Sequence, residues 1–136
     1  MDVAELIWQV KSADPKIAEP AARSLRELAR IDPAVLTPWR KDLLQVARDA
    51  EDLRVRWNLI VIVGKLSLTR TQRASAIDWL FERLRDESSL TRTFALQALV
   101  DLSATDSALR KRVLPILENF AREGTPAMRA RARKLL

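Results

Sequence analysis

The chain predicts an all-α fold, on three observations. Its residues are 48% apolar and 31% charged, and the helix formers Leu, Ala, Arg and Glu dominate. It holds only two glycines in 136 residues, too few for an ordinary set of β-turns. Amphipathic segments recur along it at a fixed spacing. The length suits one domain with a real core.

The spacing is visible in two series. Leu6, Leu43, Leu80 and Leu117 stand 37 residues apart, each inside an apolar-periodic segment. Behind them Val10-Lys11-Ser12, Ala47-Arg48-Asp49, Leu84-Arg85-Asp86 and Ala121-Arg122-Glu123 correspond at the same interval. A second series aligns Ile17, Val55, Thr91 and Met128, at intervals of 38, 36 and 37. Each unit therefore reads as two amphipathic helices joined by a short polar turn. Four units follow, at approximately 1–31, 32–70, 71–105 and 106–136.

In the first unit, MDVAELIWQVKS gives a short helix with Leu6 on its apolar face. It carries acids and has no long apolar stretch, so it does not read as a signal peptide. Asp14-Pro15 places an N-cap before proline at the first helical position. The helix that follows, through AARSLRELARI, has apolar residues at i, i+3, i+4 and i+7. Pro20 falls inside it and is expected to kink or restart it.

In the second unit, Asp32-Pro33 starts a turn or short helix, and Thr37-Pro38 reads as the next N-cap. Then comes RVRWNLIVIVGKL, residues 54–66, whose β-branched run Leu59 to Val63 read alone is a buried strand. Register decides otherwise. The same slot holds AARSLRELARI in the first unit and TRTFALQALVDL in the third, both helical in pattern. A stacked array demands one element per slot, so residues 54–66 are a helix apolar almost all round, which is to say buried. The fourth unit has Pro115 inside its first helix, where a bend or restart is expected, and Thr125-Pro126 as the cap of its second.

These units resemble HEAT repeats. The stretches that carry the likeness are ARDAEDLRVRWNLIVIVGKL, LRDESSLTRTFALQALVDL and AREGTPAMRARARKLL. The resemblance implies a right-handed α–α superhelix with first helices outside and second helices on the concave face. It also implies that Arg56, Arg92 and Arg129 pair with the turn acids Asp49, Asp86 and Glu123. The first unit departs from the pattern, with Ala18 where the arginine belongs.

Function is less legible. The chain has no cysteine and no histidine, which excludes disulfides, Cys/His zinc sites, and His- or Cys-based nucleophilic chemistry. No P-loop or dinucleotide fingerprint is present. No stretch approaches the ~20 apolar residues of a membrane span. These absences suggest a cytoplasmic chain that is not an enzyme and needs no cofactor or metal. Some DNA glycosylases resemble this architecture and use Trp and Asp on concave helices, but here Trp57 is followed one turn later by Val61 rather than an acid. HEAT-like phycobilin lyases are also similar, through the repeat alone.

Two binding surfaces remain. Counted from the aligned Ile17, Val55, Thr91 and Met128, register places the third, fourth, seventh and eleventh residues on the concave face. This gives a partner-binding set of Arg23, Trp57, Asn58, Val61, Lys65, Phe94, Gln97 and Arg131, with Trp57, Val61 and Phe94 as exposed anchors for a protein or peptide. The alternative partner is a nucleic acid. The formal charge of +6 resides wholly in residues 109–136, because residues 1–108 balance at 16 basic and 16 acidic side chains. The patch would comprise Arg110, Lys111, Arg112, Arg129, Arg131, Arg133 and Lys134. The other tryptophans read as core (Trp39, Trp79) or as an exposed cap residue (Trp8). Leu135 and Leu136 make an apolar tip that a second copy of the chain could cover.

Overall fold

The structure, a computed structural model, describes residues 2–136. Among them it is all helical. In chain order the helices are α1 (Val3–Val10), α2 (Pro15–Ile31), α3 (Arg40–Asp49), α4 (Leu53–Lys65), α5 (Arg70–Arg83), α6 (Ser89–Leu102), α7 (Ser107–Glu123) and α8 (Pro126–Leu135). Two 3₁₀ segments, Pro33–Trp39 and Ser103–Thr105, precede α3 and α7.

Side chains fix most of the helix starts. Asp2, Asp14, Asp52, Ser88, Asp106 and Thr125 each accept a backbone N–H of the first turn. Thr69 and Gln72 form a reciprocal capping box at α5. Thr37 is the exception and a correction. The chain enters the second unit through a 3₁₀ stretch that contains Pro38, and α3 starts two residues later without a side-chain cap. Of the kink or restart expected at the prolines inside α2 and α7, the restart does not occur: each helix runs through its proline. Both prolines are exposed, as are Lys16 and Lys111 four residues earlier, so water can reach the carbonyls that lose a donor.

The run at 54–66 is helix α4, and its burial explains its composition. Val55 and every residue from Asn58 to Gly64 are buried. α2 flanks α4 on one side, α6 on the other, and α3 lies behind. Gly64 allows the closest approach, because a Cβ there would stand 2.8 Å from the Ala98 Cα of α6.

Second helices stack closely on one another, α2 on α4, α4 on α6 and α6 on α8, whereas first helices touch only sparsely. The closely stacked layer is the inner, concave one. This is the α–α superhelix of a HEAT-like solenoid.

Arg56, Arg92 and Arg129 do not pair with the turn acids. The Arg56 guanidinium donates to the Ala50 carbonyl at 2.7 and 3.0 Å. Arg92 donates to the Asp86 carbonyl at 2.6 Å and the Glu87 carbonyl at 3.1 Å. Arg129 donates to the Gly124 carbonyl at 3.3 Å. The second helix thus reaches back to carbonyls of the turn that follows its own unit's first helix. Those oxygens lie in the turn itself, within easier reach than a neighbouring unit's carboxylate.

Candidate functional site on the concave face

The stacked second helices enclose a recess of about 430 Å³ lined by Arg23, Arg26, Glu27 and Arg30 of α2, Asn58, Val61 and Lys65 of α4, and Gln97 of α6. The structure therefore gathers five of the expected side chains, Arg23, Asn58, Val61, Lys65 and Gln97, at one place.

Their exposure differs from the expected open apolar patch. Val61 is only 5% exposed and forms floor rather than anchor. Asn58 is 8% exposed, with its Nδ2 donating to the Arg54 carbonyl at 2.8 Å. Trp57 is half-buried, its Nε1–H donates to Thr91 Oγ1 at 2.9 Å, and its ring lies 6.0 Å from that of Phe94. Close stacking explains this: a residue in the third slot of a second helix points into the seam with the next unit rather than out of the groove. Phe94 is half-buried as well.

What faces the opening is charge. Arg26, which the spacing did not single out, sits with its guanidinium carbon 5.6 Å from the Phe94 centroid and Nη1 3.4 Å from Asn58 Oδ1. An arginine of the first unit thereby covers an aromatic of the third. Its pKa is lowered from the ordinary value, first by burial and then by the charge of Arg131 on α8. Among the described residues Arg26 makes no ion pair. Glu27, the acid of the lining, and Asp101, beside Lys65, are in contrast each met by a cation. Glu27 is bonded by Arg30, which holds its carboxyl below the usual range. Asp101 stands 3.1 Å from Lys65 as an ion contact. Gln97 Oε1 is buried without a hydrogen-bond partner.

Arg26 was missed because its register equivalents, Gly64 and Val100, are packing positions. Only the pairing of a long cation with an aromatic two units away betrays it, and that requires the curvature.

The C-terminal cations occupy several distinct settings. Arg110, Lys111 and Arg112 are exposed on α7, with Arg112 stacked 4.4 Å over Phe81. Arg129 is bonded to the Gly124 carbonyl. Arg131 is near enough for its charge to lower the Arg26 pKa. Arg133 and Lys134 are exposed in the last turn of α8. Trp8 is 75% exposed, while Trp39 and Trp79 are partly buried against the core. Among the described residues no three acidic side chains gather as a metal set, and no helix is long and apolar enough to cross a membrane.

The family model for HEAT repeats matches residues 40–136, about 70% of the chain. The chain belongs to the HEAT-repeat family. No curated protein matches it significantly. Among solved structures, this HEAT-repeat chain is similar to one described as the complex of CpcE and CpcF of phycocyanin lyase from Nostoc sp. PCC7120. It superposes with a TM-score of 0.71 at 24% identity over 98% of this chain and 79% of that one. At that identity the likeness speaks for the fold.

Proposed function

We infer that this HEAT-repeat chain is a non-catalytic interaction module whose concave recess holds a segment of a protein partner. The observation that carries the reading is Arg26: partly desolvated, held over Phe94, within reach of the Arg131 charge, and among the described residues in no ion pair. A partner's acidic side chain placed beside the Arg26 guanidinium supplies the missing charge, with Arg23 at the rim. The similar solved structure is itself a complex of two proteins, which agrees with a solenoid made to be partnered.

The acid of the recess, Glu27, supports a binding rather than a catalytic role. A general acid working near neutral pH needs a raised pKa, and Glu27 is pushed the other way. The scattered settings of Arg110, Lys111, Arg112, Arg129, Arg133 and Lys134 give a phosphate backbone no single track, so the nucleic-acid alternative ranks second.

A photo-crosslinking residue placed at the exposed rim position Arg23, and separately at Lys111 on α7, tests the reading in extract of the native host. The expected result is a protein adduct from position 23 that disappears in the Arg26→Ala/Arg131→Ala background. Equal adducts from both positions, or adducts sensitive to nuclease, would overturn it.

A further inference from the structure

A second recess lies away from the concave face, at the edge where the α1–α2 and α3–α4 turns meet. It measures about 640 Å³, and its lining includes Ser12, Ala18, Asp49, Glu51 and Val55. The repeat register explains why it exists. Ala18 occupies the slot that holds Arg56, Arg92 and Arg129 in the other units. In the third unit that arginine lies against the next unit, its Nη2 3.8 Å from Met128 Sδ, and Met128 is the register equivalent of Val55. The space between Ala18 and Val55 is thus the place an arginine side chain fills elsewhere in this same molecule.

The acceptors for a guanidinium correspond too. Arg56 and Arg92 each donate to a carbonyl six residues earlier, and the same step back from Ala18 reaches Ser12. No side chain among the described residues donates to the Ser12 carbonyl. The rim is acidic: Asp42, Asp49, Glu51 and Asp52 against Lys11 alone. Lys11 lies 3.8 Å from Asp42, and Asp52 caps α4. Among the described residues Asp49 is met only by the neutral Gln45 amide at 3.0 Å.

We propose that this recess accepts an arginine side chain from a partner protein, which takes between the first two units the place that Arg92 holds between the third and the fourth. The guanidinium bonds the Ser12 carbonyl and pairs with Asp49, and its stem lies on Ala18 and Val55. The site is separate from the concave recess and of opposite charge. A partner that uses both would present an acidic and a basic side chain to two faces of one solenoid.

The test is a backbone-amide NMR titration with acetyl-arginine amide, with acetyl-lysine amide as control. Saturable shifts are expected at residues 11–18 and 45–55, several-fold weaker for the lysine compound, whose ammonium lacks the planar fork. Asp49→Asn should weaken arginine binding about two- to fivefold, as for a partly exposed ion pair. Ala18→Arg should fill the slot from within and abolish it. Should Ala18→Arg fail to fold, the Asp49→Asn comparison still decides. Absence of saturable shifts, equal response to both compounds, or indifference to Asp49→Asn would overturn the proposal. So would self-association of the wild-type chain that Ala18→Arg abolishes, because the occupant would then be a second copy.

Discussion

Replacing Gly64 with alanine sets two effects of known sign against each other. In a helix interior alanine is favoured over glycine by about 1 kcal/mol, and Gly64 has no positive φ that would forbid a side chain. Against this stands the seam between α4 and α6. The added Cβ would lie 2.8 Å from the Ala98 Cα, 3.1 Å from its Cβ and 3.1 Å from its carbonyl oxygen. An ordinary contact needs about 3.5–4.0 Å. The obstacle is largely backbone, so no side-chain rotation relieves it and the two helices must separate. Overpacking of this kind costs about 1–3 kcal/mol, and a backbone obstacle belongs in the upper half of that range. The expected net effect is destabilisation of about 1–2 kcal/mol. It reads out as a lower urea midpoint at unchanged m-value. Lys65 and Gln97 flank the two contact residues, so the recess should widen and its amide resonances should shift. A variant as stable as the wild type, or more stable, would mean that the seam is looser than described and that helix propensity governs position 64.

Three further outcomes are expected. Trp57→Phe removes the donor to Thr91, a residue with no exposed surface, and should cost about 1–2 kcal/mol in denaturant unfolding, with the additional Thr91→Val change recovering part of it. Arg92→Ala should cost about 1.5–3 kcal/mol through loss of charged hydrogen bonds to the Asp86 and Glu87 carbonyls, and Arg92→Lys should recover only part, as thermal melts would report. Asp106 accepts from the Leu109 N–H and from Arg73, which hold its carboxyl below the usual carboxylate value. The unfolded chain therefore takes up that proton first. The stability Asp106 contributes is present above the ordinary value near pH 4 and is lost as pH falls through its lower folded value. Asp106→Asn should flatten the decline of the melting temperature below about pH 4.

Much of the fold is legible because it repeats. The β-branched run in α4 misleads when read alone, since its composition answers to burial between α2, α3 and α6 rather than to backbone preference. The cap residues Asp14 and Thr125 are legible for a local reason, because each needs only its own first turn. What sequence reading misplaces are contacts whose alternatives compete on geometry. Thr37-Pro38 has the composition of a cap but lies in a 3₁₀ approach. The repeat arginines have turn acids nearby yet choose turn carbonyls. Trp57 and Val61 occupy slots that face outward in an idealised register, but close stacking turns the first into the α4–α6 seam and sinks the second into the floor. Arg26 depends on curvature, which brings α2 over a residue of α6 and toward α8, and no spacing along the chain encodes that directly.

The most direct measurement of the concave-face account is a pair of anisotropy titrations at low and physiological salt. One uses a labelled glutamate-rich peptide and the other labelled single- and double-stranded DNA and RNA. Each is run on the wild type, on Arg26→Ala, and on a variant with Arg129, Arg131 and Arg133 changed to Ala. The account predicts saturable peptide binding that persists at physiological salt and weakens about tenfold or more in Arg26→Ala, as expected when a desolvated charge-assisted hydrogen bond worth about 1.5–3 kcal/mol is removed. Nucleic-acid binding that is the tighter of the two, falls steeply with salt and is lost in the triple variant while Arg26→Ala leaves it intact would contradict the account and make the basic C-terminal end the site.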